Sequence, residues 1–153
     1  MFEKGGKMAK GTEKAIKEKK YSILIVDDEA PVRRLIDCLL KEMEYNTHQA
    51  SNGDEAIEIL KKNHNNVHLI IMDLLLPGKH GLDICSKIRA MDNFRDIPIL
   101  VITAVYTKSK YNYQSREYGA DAFMTKPFDN DAFMAQVSRL LSLNEEEEFC
   151  VAE

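Results

Sequence analysis

Five short apolar runs alternate with helical patterns along this chain, and that alternation limits its folds more than any other feature. The runs lie at residues 23–26, 45–50, 67–72, 97–102 and 122–124, the second being the weakest. Most are continuous, without the polar alternation of a strand that has one wet face, so they read as strands buried on both sides. Between them the apolar spacing becomes helical. Val32, Leu35, Ile36, Leu39, Leu40 and Met43 define a first helix, with Pro31 suited to its first turn. "SNGDEAIEILKK" reads as a turn and a second helix, and "GLDICSKIRAM" puts Leu82, Cys85 and Ile88 on one face of a third. A fourth is expected near residues 108–118, ended by Gly119, and a fifth after Asp129 with Phe133, Val137, Leu140 and Leu141 inward. Parallel neighbours need crossover connections, so the pattern predicts an α/β fold in which five helices cover a five-stranded parallel sheet.

At 153 residues the chain suits one domain with a real core. An apolar content of 44% and a charged content of 30% fit a soluble protein. No apolar run approaches the roughly 20 residues of a membrane span, and the lysine-rich start lacks the apolar segment of a secretory signal. Cys38, Cys85 and Cys150 are odd in number and scattered, which favours reduced thiols and a cytoplasmic location. Residues 1–20 carry seven lysines against three glutamates, and residues 144–153 carry five glutamates and no base. Both are poor in apolar residues and read as tails, the first mobile, around a domain at 21–143. The Lys-rich arm suits nucleic acid or an acidic partner, or is simply solvated. It has no arginine, the domain has no nucleic-acid motif, and the solvated reading is favoured.

In parallel sheets with helices on both faces, ligands bind beyond the carboxyl ends of the strands. The first run ends at Asp27 and Asp28, the third at Asp73, the fourth at Thr103 and the fifth at Lys126 before Pro127. A lone aspartate after a strand is commonly a turn former or helix cap. Four polar ends on one sheet edge are another matter, because adjacent strands lie only about 4.8 Å apart.

Together "ILIVDDE", "IIMDLLLPGKHG", "ITA" and "KPF" resemble the response-regulator receiver domain, the chemotaxis-type phosphoacceptor module of two-component signalling. The resemblance spans about residues 21–143 and implies a flavodoxin-like sheet of order 2-1-3-4-5, which makes the first and third strands neighbours. It further implies that Asp73 accepts the phosphoryl group. Mg²⁺ would be bound by Asp28, Asp73 and the Leu75 carbonyl, with Asp27 acting through a water. Lys126 and Thr103 would meet the phosphoryl oxygens, and Thr103 would couple to Phe123 as the switch. The Lys126–Pro127 bond is expected to be cis. Three carboxylates this close stay ionised together only with a cation, and a hard divalent ion matches oxygen ligands. Glu29 is expected in the first helical turn, answering the dipole. His64 and His68 do not share a helical face, and His48 and His80 are isolated, so none is expected to bind metal.

The segment 104–120 departs from the family. "YTKSKYNYQSREYGA" replaces the usual alanine-rich helix, and Tyr106, Tyr111, Tyr113 and Tyr118 suit either a docking surface or local packing. The expected function is a stand-alone response regulator. Its phosphoryl donor is a sensor histidine kinase or histidine phosphotransfer protein. Its output passes to an unidentified protein, or to a homodimer, on the face of the fourth helix, fifth strand and fifth helix. Neither nucleic acid nor membrane is an expected partner, and no separate enzymatic turnover is expected. The alternatives are a phosphorylation-independent adaptor and an aspartate-nucleophile phosphatase, although no second acid or substrate motif supports the latter.

Overall fold

A computed structural model describes residues 21–63, 66–104 and 119–152, with side chains as far as 143. Five strands form one parallel sheet: β1 (Ser22–Val26), β2 (Asn46–Ala50), β3 (Leu69–Met72), β4 (Ile99–Thr103) and β5 (Ala122–Thr125). Their order is β2-β1-β3-β4-β5, the flavodoxin-like order expected. Four described α-helices accompany them: α1 (Ala30–Glu42), α2 (Gly53–Lys62), α3 (Gly81–Arg89) and α4 (Asn130–Ala152). The helix expected at 108–118 lies outside the described residues, as do its tyrosines. The last helix runs beyond residue 143, into the acidic segment read as a tail.

Strand side chains alternate between two cores because successive residues point to opposite faces. Leu24, Val26, Ile70, Met72, Ile99 and Val101 meet α2 and α3 on one face. Ile23, Ile25, Leu69, Ile71, Leu100 and Ile102 meet α1 and α4 on the other. The inward residues expected of α4, namely Phe133, Val137, Leu140 and Leu141, are all buried. The apolar stripe of α1 is narrower than its spacing suggests: Ile36, Leu39 and Leu40 are buried, while Leu35 is 45% exposed. Strand β2 is an edge strand paired only to β1, and one buried residue, Ala50, suffices for it. That accounts for its faint apolar signal.

Candidate functional site

Main-chain bonds carry each strand end one residue further, to the polar groups beyond it. The Asp27 N–H donates to the Ala50 carbonyl (3.1 Å), the Asp73 N–H to Val26 (2.9 Å), and the Lys126 N–H to Thr103 (2.8 Å). These bonds set the side chains that follow β1, β3 and β5 on one sheet edge. Asp27 and Asp73 are buried at 2% and 6% exposure, Thr103 is wholly buried, and Asp28 faces solvent. Asp27, Asp28 and Asp73 each present a carboxylate oxygen, and the three oxygens lie within 4.8 Å of one another. Two such charges repel by roughly 3 kcal/mol at an effective dielectric near 20.

Lys126 is the group that answers them. Its Nζ lies 2.6 Å from Asp27 Oδ2, 3.0 Å from Asp73 Oδ2 and 3.9 Å from Glu29 Oε2. The Lys126–Pro127 bond is cis, as expected. Burial works against the ammonium, but its bonds to Asp27 and Asp73 outweigh that and raise its pKa above the usual lysine value. Burial also raises the Asp73 carboxyl above its usual range, against the opposing pull of Lys126 and of the Leu75 N–H, which donates to Asp73 Oδ1 (3.2 Å). The two directions are consistent: one cation serves several acids, so the lysine gains while Asp73 remains under-compensated.

Three ionised carboxylates and one ammonium leave two negative charges, which matches a divalent cation with oxygen ligands. Asp27 is the least free of the three: Oδ1 accepts from the Glu29 N–H (2.9 Å) and Oδ2 from Lys126. Asp28 is the accessible one.

The loop after Asp73 is held by close backbone approach. The Gly81 N–H donates to the Leu74 carbonyl at 2.8 Å, and a Cβ at Gly81 would lie 2.2 Å from the Asp73 carbonyl oxygen. Gly81 is therefore needed for space, whereas Gly78, at φ 79°, supplies the unusual dihedral. Phe123 is half-buried against the core beside β4.

Glu29 differs from expectation: it is the N-cap of α1, outside the first turn, and makes no side-chain cap bond. The histidines serve the framework. His80 Nδ1 caps α3 by accepting from the Leu82 N–H (3.2 Å), and His68 Nδ1 accepts from the Ser22 N–H (3.0 Å). His48 lies half-buried on β2, and His64 lies outside the described residues. One residue escaped the sequence reading: Arg33 Nη1 donates to the Asp27 carbonyl at 2.6 Å. The available signal was a cation in the first turns of a helix whose first turn holds no acid, where the helix dipole disfavours it.

A parallel sheet of this order, with acids beyond β1 and β3 and a lysine beyond β5, defines a response-regulator receiver fold. The family model for the response regulator receiver domain matches residues 23–138, and the chain belongs to that family, the receivers of two-component systems. Among curated proteins it is similar to the transcriptional regulatory protein ResD of Bacillus subtilis, 38% identical over 119 residues (78% of this chain, 47% of ResD). It is also similar to the transcriptional regulatory protein SrrA of Staphylococcus aureus, 36% identical over the same shares. The chain thus spans about half the length of these relatives. Among solved structures, it matches the signal receiver domain of a signal transduction histidine kinase from Syntrophus aciditrophicus. There the TM-score is 0.72 with 33% identity, covering 80% of this chain and 90% of that one. The chemotaxis response regulator CheY4 of Vibrio cholerae shares the fold at TM-score 0.74 and 24% identity, covering 80% and 99%.

Two sequence expectations are narrowed by these relatives. Stand-alone status is not carried forward, because the chain spans half of the regulators it matches. The absence of nucleic acid as a partner was read from these residues alone, and it does not extend to a whole protein whose relatives regulate transcription. No helix among the described residues is long and apolar enough to cross a membrane.

Proposed function

We propose that Asp73 accepts a phosphoryl group from a phosphohistidine on a sensor kinase or phosphotransfer protein. The observation that carries this reading is the triad Asp27, Asp28 and Asp73 within 4.8 Å, with Lys126 Nζ bridging Asp27 and Asp73. An Asp73 oxygen forms the new bond to phosphorus as the phosphorus–nitrogen bond breaks, and the electron pair leaves with the donor imidazole, which takes up a proton. Protein residues contribute position and charge, the main requirements of phosphoryl transfer. Lys126 meets one phosphoryl oxygen with its ammonium, and the buried Thr103 hydroxyl bonds another. Asp28, Asp73 and the Leu75 carbonyl would hold Mg²⁺ directly, with Asp27 reaching it through water. When bound, Mg²⁺ neutralises charge on the cluster and on the transferred group.

Thr103 drawn toward the phosphoryl group, with Phe123 following, would alter the face formed by β5 and α4. A groove of about 420 Å³ lined by Phe123, Pro127, Phe128 and Gln136 lies there. Binding of a protein partner or a second copy at that face would carry the output. The names of the relatives extend the reading to transcription for the whole protein, with nucleic acid met through that output and not through these residues.

The test is intact-mass spectrometry after incubation with acetyl phosphate and Mg²⁺. One phosphoryl adduct is expected, absent in Asp73→Asn and absent in the parent with chelator. Equal modification of the Asn variant would move the acceptor elsewhere.

A further inference from the structure

Every polar atom of Asp27 is engaged. Its N–H donates to Ala50 (3.1 Å), Oδ1 accepts from the Glu29 N–H (2.9 Å), Oδ2 from Lys126 (2.6 Å), and its main-chain carbonyl from Arg33 (2.6 Å). That carbonyl belongs to the peptide plane joining Asp27 to Asp28, so whatever holds it also places the Asp28 N and Cα from which the side chain departs, and narrows where its carboxylate can go. Asp28 is the exposed member of the acid triad.

Arg33 is suited to hold that plane. It lies in α1, half-buried, and its own N–H donates to the Glu29 carbonyl (3.1 Å), so its backbone is tied to the loop it supports. Among the described residues no ion pair includes Arg33. Its charge acts weakly on Glu55, whose main bonds go to the Ser51 hydroxyl and N–H (2.8 and 3.2 Å). An arginine placed near a helix N-terminus, unfavourable to the dipole and bonded to a carbonyl beside three acids, calls for a role that its charge alone does not supply.

We infer that Arg33 is a positioning residue for the divalent-cation site: by holding the Asp27 carbonyl it aims the Asp28 carboxylate at the ion. The inference rests on the reading of the acid triad as a cation site given above. Charge and position predict opposite results. A cation acting only by its charge repels a divalent ion, so removing it would tighten binding. A cation acting by position weakens binding when removed.

The experiment counts free Mn²⁺ by its EPR signal in titrations of the parent, Arg33→Met and Arg33→Lys, with Mg²⁺ competition and metal-free melting alongside. Arg33→Met should bind Mn²⁺ about tenfold more weakly, the lower end for losing a group that orients a metal ligand. Arg33→Lys keeps a donor able to reach the carbonyl and should stay within about twofold of the parent. If Arg33→Met does not fold, Arg33→Gln, whose amide is too short to reach, carries the same expectation. Unchanged or tighter binding in the folded Met or Gln variant overturns the inference, and so does a lysine variant as weak as methionine. A parent that binds no Mn²⁺ overturns the cation-site reading itself, and this inference with it.

Discussion

The two edges of the sheet are both polar, and they are built in opposite ways. Beyond the carboxyl ends of β1, β3 and β5, three carboxylates meet one ammonium. At the amino end, where β4 and β5 begin, Arg89 of α3 is surrounded by acceptors. Its Nε donates to the Gly119 carbonyl (2.9 Å), Nη1 to Arg95 (2.8 Å) and to Ile97, and Nη2 to Asp121 Oδ2 (2.7 Å). The same Asp121 oxygen accepts the Ile99 N–H at 2.8 Å. One edge balances its donors and acceptors internally, while the other retains charge that the protein alone does not neutralise. A fold tolerates that imbalance where a ligand or a transferred group completes it. The comparison also separates two meanings of a polar cluster in a sheet protein: the matched one ties elements together, and the unmatched one is kept for chemistry.

The largest effect should come from breaking the matched edge. Arg89→Ala removes a charged donor from four carbonyls, those of Gly119, Phe94, Arg95 and Ile97, and leaves Asp121, still bonded to the Ile99 N–H, without its counter-charge. Losing such a part-buried network costs about 2–4 kcal/mol. Urea denaturation should show that loss, while acetyl-phosphate labelling of Asp73, on the opposite edge, should proceed at the parent rate in the folded variant. A labelling rate that falls as sharply as the stability would mean the edges are coupled.

A smaller effect, of opposite sign, should follow at the unmatched edge. In chelator, Asp28→Ala removes one of three mutually repelling charges and should stabilise the protein by about 1 kcal/mol or less, since Asp28 is exposed and its repulsion is screened. Asp73 adds a pH signature. Its folded carboxyl titrates above the ordinary range because it is buried, so ionising it costs stability. The folded state therefore holds its proton longer than the unfolded chain. Metal-free stability should fall as pH rises from the ordinary carboxylate range through the raised Asp73 value, and be unaffected by this group below that window. Asp73→Asn, titrated in chelator, should lack that fall. A steeper loss in the Asn variant would show the charge to be stabilising.

The edges also differ in how far the sequence revealed them. Asp27, Asp28, Asp73, Thr103 and Lys126 were legible because each stands within two residues of the end of an apolar run, and a parallel sheet brings such positions together whatever the loops do. Arg89 was not. It sits at a helix end among ordinary basic residues, and its acceptors, Asp121 apart, are main-chain carbonyls that leave no trace in side-chain identity. Arg33 was overlooked for the same reason, since its partner is the Asp27 carbonyl. Leu35 fitted the helical spacing of α1 yet is exposed, because periodicity marks a broad stripe and packing uses only part of it. The contact that requires Gly81, with the Asp73 carbonyl, is set by the path of the loop, and a glycine in a motif does not reveal which close approach it serves.

The smallest effect expected is kinetic, and it concerns Leu75, a large apolar side chain exposed beside the acid cluster. Leu75 is 53% exposed, two residues after Asp73, and its N–H donates to the Asp73 carboxylate. The backbone bond ties the residue to the acceptor, so its side chain flanks whatever the acceptor carries. Hydrolysis of phospho-Asp73 needs a water in line with the phosphorus–oxygen bond, and orienting that nucleophile is much of what such a site can contribute. A leucine can neither donate to nor accept from a water, and its bulk competes for the space. Leu75→Asn supplies both a donor and an acceptor on a smaller side chain. It should shorten the lifetime of phospho-Asp73 about threefold, which corresponds to roughly 0.6 kcal/mol of barrier. Val105, two residues after Thr103, lies outside the described residues, so the single variant is the cleaner test. Phosphate release after donor removal, at fixed Mg²⁺, measures it, with metal-free melting as a control on the fold. Release no faster than in the parent would mean that Leu75 does not govern access of water, and that the lifetime is set by Lys126 and the cation alone.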